Sequence, residues 1–320
     1  MAHRYGWIVL GPVIAIFAGY LIVRGNAPSD LPATVPKDRN STKSVGAAKV
    51  RVPPADSPPS IVRPATEKRS LPPPNTPLKQ LFAELKELAD AGDAAAASQL
   101  YRMLAKCSRA PRAEMTYSTN VDNLLKMGSI NPAALKDVPR VVEKLNALKT
   151  VCDNLDESVL GQLAPVTLQA AELGDASARN CYVHRGPSMD PRSLLENPLL
   201  LVTYKQAAPV LIDSALAAGD WRMVDMLQYA YGPNGQGLLA GLLGPDLVQH
   251  YRYLKLFLLG ATDAKKEVYS AQMLHAEASL SSEQIAAADA WAQTKFVQNF
   301  SGVSTVAAPA NWDACAIPED

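Results

Sequence analysis

The feature that most constrains this chain is an apolar run near its N-terminus. Residues 6–23 (GWIVLGPVIAIFAGYLIV) contain no charged side chain, and basic residues flank them on both sides. A helix of about 20 apolar residues crosses the roughly 30 Å hydrocarbon core of a bilayer. A cleaved signal peptide would have a shorter apolar core and a small-x-small cleavage site, which the following residues do not supply. The run therefore predicts an uncleaved signal anchor over residues 1–25, with cleavage as the alternative.

Two features indicate that the rest of the chain lies outside the cytoplasm. Almost all of it follows the single predicted span, as in tethered exported proteins, although the lysines and arginines near the span favour the opposite orientation. The chain has four cysteines, an even number that suits an oxidising compartment. We therefore expect an inner-membrane protein with one span and a periplasmic body, whose lipid partner is the bilayer around residues 6–23.

A proline-rich segment separates the predicted anchor from the rest of the chain. Residues 26–77 combine proline with serine, threonine, lysine and arginine, and contain few large apolar side chains. Such a composition cannot build a hydrophobic core, and proline favours an extended backbone. Fully extended, the segment would reach about 150 Å. We expect a disordered linker that lets the body sample a large volume away from the bilayer.

After the linker, the sequence is rich in leucine, alanine, glutamate and lysine, and its periodic segments indicate helices. Apolar side chains recur at helical spacing from Leu78 to Ala89, and Thr76 is the expected cap of this helix. Alternating patterns of β-branched residues, which would indicate strands, are not evident. The sequence therefore predicts an all-α domain over residues 78–300, followed by a C-terminal tail over residues 301–320.

Three turns of the same chemistry join neighbouring predicted helices. In each, a glycine that tolerates the left-handed conformation ends one helix, and an aspartate caps the amide groups of the next. The turns are Gly92 with Asp93, Gly174 with Asp175, and Gly219 with Asp220, and a fainter fourth copy is Gly260 with Asp263. We interpret these aspartates as helix caps rather than as catalytic acids.

The segment Ala-Glu-Leu-Gly-Asp-Ala-Ser-Ala at 171–178, with Leu-Gln-Tyr-Ala-Tyr-Gly at 227–232, resembles the Sel-like repeats, which are relatives of the tetratricopeptide repeats. In that family, helix pairs stack into a solenoid whose concave face binds other proteins. The resemblance implies an irregular α-solenoid and a protein partner. Because the turn glycines lie at unequal intervals, the first interval should contain a degenerate unit near residues 120–152.

The four cysteines allow three disulfide pairings. Cys107 ends the first predicted helix pair and Cys152 follows a later helix, which favours a bridge between them and leaves Cys181 to pair with Cys315. The other two pairings remain open. Cys181 and His184 also have a spacing that suits two zinc ligands, but a closed zinc site needs four. We therefore predict no metal site.

An aromatic cluster on two predicted helices is a candidate protein-binding face. Its members are Trp221, Tyr229, Tyr231, Tyr251 and Tyr253. Core packing accounts for most clusters of this kind, whereas tyrosines exposed on a concave face would contact a partner protein. Both interpretations remain open at the level of the sequence.

Other patterns give little support to cofactor or nucleic-acid chemistry. The glycine-rich loop at 232–237 lacks the lysine and the preceding strand of a phosphate-binding loop. His250, His275 and Glu267 lie on different predicted helices and nominate no nucleophile. The 31 lysines and arginines balance the 31 aspartates and glutamates, whereas a nucleic-acid partner requires a basic surface. We expect no cofactor and no nucleic-acid partner.

Two classes of function remain. The first is a non-catalytic, membrane-tethered interaction protein that binds an envelope protein or peptide. The second is a cell-envelope enzyme, such as a cell-wall hydrolase with a helical catalytic domain, in which Asp153 and Glu157 would be a candidate carboxylate pair. Glycoside hydrolysis needs two carboxyl groups that face each other across a cleft, one of them desolvated. Asp153 and Glu157 lie in a polar run that is typical of a solvated helix start, so the sequence favours the first class.

Overall fold

The computed structural model describes residues 73, 76–129, 131–261, 265–303, 305, 308 and 312–316. These residues form helices connected by turns and short loops, and they contain no strand. The predicted all-α class is therefore confirmed for this part of the chain. The predicted anchor, most of the predicted linker and Asp263 lie outside the described residues.

The described residues form fourteen α-helices. They are α1 (Leu78–Asp90), α2 (Ala94–Ser108), α3 (Ala110–Gly128), α4 (Val138–Cys152), α5 (Glu157–Leu160), α6 (Leu163–Glu172), α7 (Ala176–Arg185), α8 (Pro191–Glu196), α9 (Leu199–Ala217), α10 (Trp221–Tyr231), α11 (Leu238–Leu243), α12 (Leu247–Gly260), α13 (Lys265–Glu277) and α14 (Ser282–Lys295). Short 3₁₀ segments cover Pro132–Asp137 and Gly186–Met189, and a π-helical turn over Phe296–Phe300 continues α14.

Each of the three predicted turns joins two helices that pack on each other. The pairs are α1 with α2, α6 with α7, and α9 with α10. The turn glycines have φ angles of 92°, 103° and 70°, a left-handed region that side chains with a Cβ disfavour. The three aspartates accept hydrogen bonds from backbone N–H groups in the first turn of α2, α7 and α10. Local sequence therefore sets both the end of one helix and the start of the next.

The helix pairs pack in the order of the chain. α2 contacts α6, α7 contacts α9, and α10 contacts α12, so each pair packs against helices that follow it in the chain. α12 also contacts α13 and α14. One main hydrophobic core runs through these contacts, and its largest fully buried side chains include Tyr101, Tyr204, Trp221, Phe257 and Phe300.

α3 and α4 form a hairpin that differs from the other pairs. Ala110 is the buried residue of α3, whereas α4 buries Val141, Leu148 and Val151. The hairpin covers the region near residues 120–152 where the sequence indicates a degenerate unit. Its two helices are joined by a 3₁₀ segment without a glycine–aspartate turn.

Two disulfides connect distant parts of the fold, in the pairing that the sequence favours. Cys107–Cys152 joins the end of α2 to the end of α4, with Cα atoms 5.2 Å apart. Cys181–Cys315 joins α7 to the C-terminal tail, with Cα atoms 4.4 Å apart. Arg109 supports the second bridge, since its Nη2 donates a hydrogen bond to the Cys315 carbonyl oxygen at 2.5 Å. These contacts hold the tail on the helical body.

The start of α1 differs from its prediction. Thr76 is not the cap, because the N-cap position belongs to Pro77 and no side chain accepts a capping hydrogen bond there. Proline carries no side-chain acceptor, and its fixed φ suits the entry into a helix. α1 is held instead by burial of Leu78, Leu81, Leu85 and Ala89 along one face.

The fourth glycine of the predicted turn series has another role. Gly260 is the last residue of α12 and does not adopt a positive φ. The indole ring of Trp221 lies against it, and a Cβ at position 260 would come within 2.4 Å of Trp221 Cζ2. Trp221 is 1% exposed and packs on Phe257 and Phe300, with ring centroids 5.8 and 4.5 Å away. Gly260 therefore makes room for a core side chain.

We expect Gly260→Ala to lower the free energy of unfolding by about 1–3 kcal/mol, because the added methyl group overpacks a core that cannot yield. Gly241→Ala is the matched control, since Gly241 lies in α11 and a Cβ there meets no atom within 4 Å. The control variant is expected to be neutral or up to about 1 kcal/mol more stable, through helix propensity. Urea denaturation of both variants measures the difference, and equal midpoints would contradict the assigned packing.

One described helix, α9, is long and apolar enough to cross a membrane by length and composition alone. A helix in the core of a protein passes the same test. Here α9 buries Tyr204, Ala208, Leu211, Ile212 and Ala215 against neighbouring helices. Its opposite side exposes Leu199, Val202 and Val210.

Candidate functional site

A cleft lies beside the C-terminal tail. It has a volume of about 720 Å³ and is lined by residues of α7, α10, α11 and α13 and by residues 312–314 of the tail. We call it the tail cleft. Clefts of 300–1,000 Å³ with apolar walls and a few polar groups are typical of ligand sites. The Cys181–Cys315 bridge keeps the tail residues in place along one side of the cleft.

A buried carboxylate organises the floor of the tail cleft. Asp225 of α10 is 9% exposed, and its Oδ2 accepts a hydrogen bond from Trp312 Nε1 at 2.7 Å. Its Oδ1 accepts a hydrogen bond from the Tyr269 hydroxyl, and Gln228 Nε2 lies 3.4 Å from the same oxygen. Both carboxylate oxygens are therefore engaged within the protein. This network ties α10 to α13 and to the tail.

The walls and the mouth of the tail cleft are more apolar. Met226 and Leu239 are buried in its walls, whereas Tyr229 and Val268 at its mouth are 48% and 56% exposed. An exposed tyrosine and an exposed valine beside a preformed cleft offer contact area at little entropic cost. This arrangement suits a ligand that extends beyond the cleft.

Two histidines lie at or near the tail cleft. His184 of α7 lines it, and burial together with the Arg185 charge lowers the pKa of His184. His250 of α12 is buried behind it, with Nδ1 2.5 Å from the Gln228 carbonyl oxygen. Burial also lowers the pKa of His250, although the hydrogen bond to the carbonyl acts in the opposite direction. Both side chains are therefore neutral at pH 7, and Nδ1 of His250 is the donor to Gln228.

The depressed histidine pKa values predict a loss of stability in mild acid. Between the lowered pKa values and the unfolded value of about 6.5, the unfolded chain binds protons that the folded chain does not. The stability that the two neutral histidines contribute is therefore present above pH 6.5 and is lost as the pH falls below it. We expect the free energy of unfolding to fall between pH 7 and pH 5.5. Urea denaturation at both values measures the slope.

His250→Asn provides the control for this slope, because its amide nitrogen can replace Nδ1 as the donor to Gln228 and does not titrate. The variant should lose less stability than the wild type between pH 7 and pH 5.5. An identical pH dependence in the two proteins would show that His250 is not part of the effect.

The structure separates the five aromatic residues of the predicted binding face. Trp221, Tyr251 and Tyr253 are buried in the core, with 1%, 2% and 7% of their surface exposed. Tyr231 is half-buried and stacks on Tyr253 with ring centroids 5.8 Å apart. Tyr229 is the exposed member, and it lies at the mouth of the tail cleft. Core packing therefore accounts for three of the five residues.

Sequence reasoning missed most of the polar floor of the tail cleft. Asp225, Gln228, Tyr269 and Trp312 come from α10, α13 and the tail, so no local motif contains them. Tyr269 is 44 residues from Asp225 and Trp312 is 87 residues away. The one available signal was the predicted bridge from Cys181 to Cys315, which brings the tail near α7.

The turn aspartates have a second role that the sequence did not predict. Asp220 caps α10 through Oδ1, while its Oδ2 accepts hydrogen bonds from Arg179 Nη2 at 3.1 Å and from Asn180 Nδ2 at 3.0 Å. Asp175 caps α7 through Oδ1, and its Oδ2 lies 3.8 Å from Arg102 of α2. Each of these aspartates thus joins its own turn to the second helix of the preceding pair.

A smaller groove of about 430 Å³ runs along the first helices of the three pairs, with lining residues from α1, α6 and α9. We call it the first-helix groove. Lys86 donates to Asp90 one turn further along α1, and Gln169 of α6 donates to the same carboxylate at 2.9 Å. These two hydrogen bonds hold the pKa of Asp90 below its ordinary value. The polar groups of this groove therefore connect α1 to α6.

The candidate catalytic and zinc residues do not converge. Asp153 and Glu157 are both exposed, and Glu157 pairs with Arg192 at 2.6 Å, so neither is the desolvated acid that glycoside hydrolysis needs. Cys181 forms a disulfide with Cys315 and therefore has no thiolate to bind zinc. Among the described residues, no cluster of three or more histidine, cysteine, aspartate or glutamate side chains has the arrangement of a metal site.

The remaining candidates have structural surroundings. The glycine-rich loop packs closely on the end of α10, where a Cβ at Gly235 would lie 2.6 Å from the Ala230 carbonyl oxygen. His275 and Glu267 are exposed on α13, whereas His250 is buried on α12. These positions give no catalytic pair of a histidine and a carboxylate.

No protein-family model matches the chain, and comparisons with curated proteins and with solved structures likewise give no match.

Proposed function

We propose that this chain is a membrane-tethered, extracytoplasmic interaction protein, without catalytic activity, whose helical body binds an envelope protein or peptide. Residues 1–25 anchor it in the inner membrane, residues 26–77 form the tether, and the body works in the periplasm. The tether gives the body a reach of up to about 150 Å, so that it can meet partners away from the bilayer.

The tail cleft is the observation that supports binding over catalysis. Its floor carries aromatic and amide side chains, and the carboxylate at its centre is hydrogen-bonded through both oxygens. A general acid or base needs a carboxylate that can exchange a proton with a substrate. Asp225 instead fixes the positions of Trp312 and Tyr269, as a preformed binding site requires.

An irregular Sel-like solenoid is the architecture that we propose for the body. Repeated glycine–aspartate turns, capping by each aspartate and packing of each pair on the next are consistent with it. The α3–α4 hairpin lies between the first two pairs and interrupts the regular order. In such an architecture, the tail cleft adds a site formed by the second helices α7 and α10, by α11 and α13, and by the tail.

The two disulfides support an extracytoplasmic location, because disulfides persist in oxidising compartments. The bilayer around residues 6–23 would be the second partner of the chain. We propose no nucleic-acid partner, since the chain carries no net charge and nucleic-acid binding requires a basic surface. We also propose no cofactor.

In-cell chemical crosslinking followed by mass spectrometry tests this function. The full-length chain is compared with a variant that lacks residues 1–24. The anchored chain should capture a specific envelope protein through residues 170–316, and the anchorless variant should capture less of it.

A parallel assay addresses the enzyme alternative. Purified full-length chain is incubated with cell-wall fragments, and the release of soluble fragments is measured. Release of soluble fragments would contradict the proposal, whether or not Asp153→Asn abolishes it, because any turnover makes the protein an enzyme. A specific captured partner without degradation supports it.

A further inference from the structure

The α3–α4 hairpin packs on the rest of the body over a small part of its surface. α3 is described over its whole length, and Ala110 is its buried residue. α4 buries Val141, Leu148 and Val151, and of these three side chains only Val151 belongs to the main hydrophobic core. α3 packs chiefly on α4 and on the 3₁₀ segment between them, while α4 also contacts α1 and α2. A unit with so few buried apolar contacts to its neighbours opens locally at a lower free-energy cost than the core does.

The Cys107–Cys152 bridge holds this hairpin closed on the body. It joins the end of α4 to the end of α2, which is where the hairpin begins, so both ends of the hairpin are fixed at one point. The two cysteines are 45 residues apart, and cutting the bridge gives that loop the conformational entropy that the cross-link removes. Reduction of this bridge therefore favours the open hairpin.

The two disulfides differ in how well a reductant can reach them. Cys181 and Cys315 are each 1% exposed. Cys152 is half-buried at the last position of α4, and the two residues after it, Asp153 and Asn154, are exposed. The rate of thiol–disulfide exchange depends on the access of the attacking thiolate to a sulfur atom. The bridge of the hairpin is therefore the one that a reductant reaches first.

We propose that Cys107–Cys152 is a redox switch, which a dithiol reductant opens while Cys181–Cys315 stays intact. One thiolate of the reductant attacks Sγ of Cys152, the S–S bond breaks, and Sγ of Cys107 leaves as a thiolate that takes up a proton. The second thiol of the reductant then attacks the mixed disulfide. This step releases Cys152 as a thiol and leaves the reductant as a disulfide, so two electrons and two protons pass to the protein.

The switch changes one surface of the body and preserves another. Opening of the hairpin uncovers the parts of α1 and α2 that α4 contacts in the closed form. The tail cleft keeps its shape, because its tail is held by the other bridge. The inference is independent of the function proposed above, since it requires no partner at the tail cleft.

Graded reduction of the full-length chain in detergent micelles tests the inference. The chain is incubated with increasing dithiothreitol and no denaturant, and free thiols are trapped with iodoacetamide and located by peptide mass spectrometry. Cys107 and Cys152 should be trapped at least about ten-fold faster than Cys181 and Cys315. Equal rates for the two bridges, or faster reduction of Cys181–Cys315, would overturn the inference.

Trypsin digestion of the partly reduced chain shows whether the hairpin opens. Arg140 and Lys149 are exposed on α4, and cleavage after them should be at least about ten-fold faster than in the oxidised chain. Lys255 of α12 is the internal reference, since it is half-buried and donates to Asp289 at 3.0 Å. Cleavage after Lys255 should not change. Unchanged cleavage of α4, or an equal increase at Lys255, would show that reduction does not release the hairpin alone.

A pair of valine variants tests the link between opening and reduction. Val151→Ala removes buried contacts of α4 with the main core and should speed the reduction of Cys107–Cys152 about ten-fold. Val142→Ala is the matched control, because Val142 is 36% exposed on the same helix, and it should leave the rate unchanged. Equal reduction rates in the two variants would contradict an opening of the hairpin as the step that admits the reductant.

Discussion

Replacing Cys181 and Cys315 together with alanine is expected to lower the free energy of unfolding by about 5 kcal/mol. The bridge joins two residues that are 134 positions apart in the sequence. In the chain-entropy model, such a cross-link lowers the conformational entropy of the unfolded chain and so stabilises the folded state by this amount. Loss of the bridge also weakens the attachment of the tail, which supplies Trp312 to the tail cleft. If Trp312 moves away, its indole N–H no longer donates to Oδ2 of Asp225, a hydrogen bond of 2.7 Å.

Two measurements check this prediction. Urea denaturation gives the change in stability, and hydrogen exchange of residues 225–230 and 312–316 reports on the tail cleft. The control is the Cys107→Ala and Cys152→Ala double variant, whose bridge spans 45 residues. It should cost about 4 kcal/mol and leave exchange in the tail cleft close to that of the wild type. Equal exchange in the two double variants would contradict the role of Cys181–Cys315 in shaping the cleft.

The second large effect is expected at Asp220. Asp220→Ala removes the cap of α10 and the ion-pair partner of Arg179. Both side chains of this pair are largely buried, with 10% of Arg179 and 14% of Asp220 exposed. A buried cation that loses its partner costs far more than a surface charge. We expect the free energy of unfolding to fall by about 3 kcal/mol, of which the cap alone contributes about 1 kcal/mol.

Asp93→Ala is the matched control for Asp220→Ala. Asp93 caps α2 through the same geometry, accepting from Ala95 and Ala96, but it is exposed. Its loss should cost about 1 kcal/mol. The double variant Asp220→Ala with Arg179→Met should recover part of the difference, since the unpaired charge is then removed. If the two aspartate variants were equally stable, the contact between Asp220 and Arg179 would contribute nothing beyond the cap.

The local features of the fold were predictable because their causes lie within a few residues. A glycine that adopts positive φ and an aspartate that caps the next helix are adjacent in sequence, and all three turns form as predicted. Helical periodicity likewise gave the all-α class. Thr76 was predicted as the cap because Pro77 after it suits the first position of a helix, but the structure starts the helix one residue later, at Leu78.

Features that depend on packing between distant segments were not predictable. Tyr251 and Tyr253 are of a residue type that is common in binding faces, yet α14 covers them. The Tyr251 hydroxyl donates a hydrogen bond to Asp289 at 3.0 Å. Arg179 and Arg102 carry no sequence signal that pairs them with turn aspartates 41 and 73 residues away. The tail cleft has the same origin, because its floor joins residues of α10, α13 and the tail.

Site-specific photocrosslinking in cells tests whether a partner protein binds at the tail cleft. A photoreactive phenylalanine analogue replaces Tyr229 in the tail cleft, Thr203 in the first-helix groove or Met115 on α3, each in the full-length chain. Thr203 and Met115 are exposed and lie on other surfaces of the body. We predict one strong adduct with an envelope protein from position 229 and little or none from position 115. No adduct from position 229, or equal adducts from positions 229 and 115, would contradict a partner site at the tail cleft.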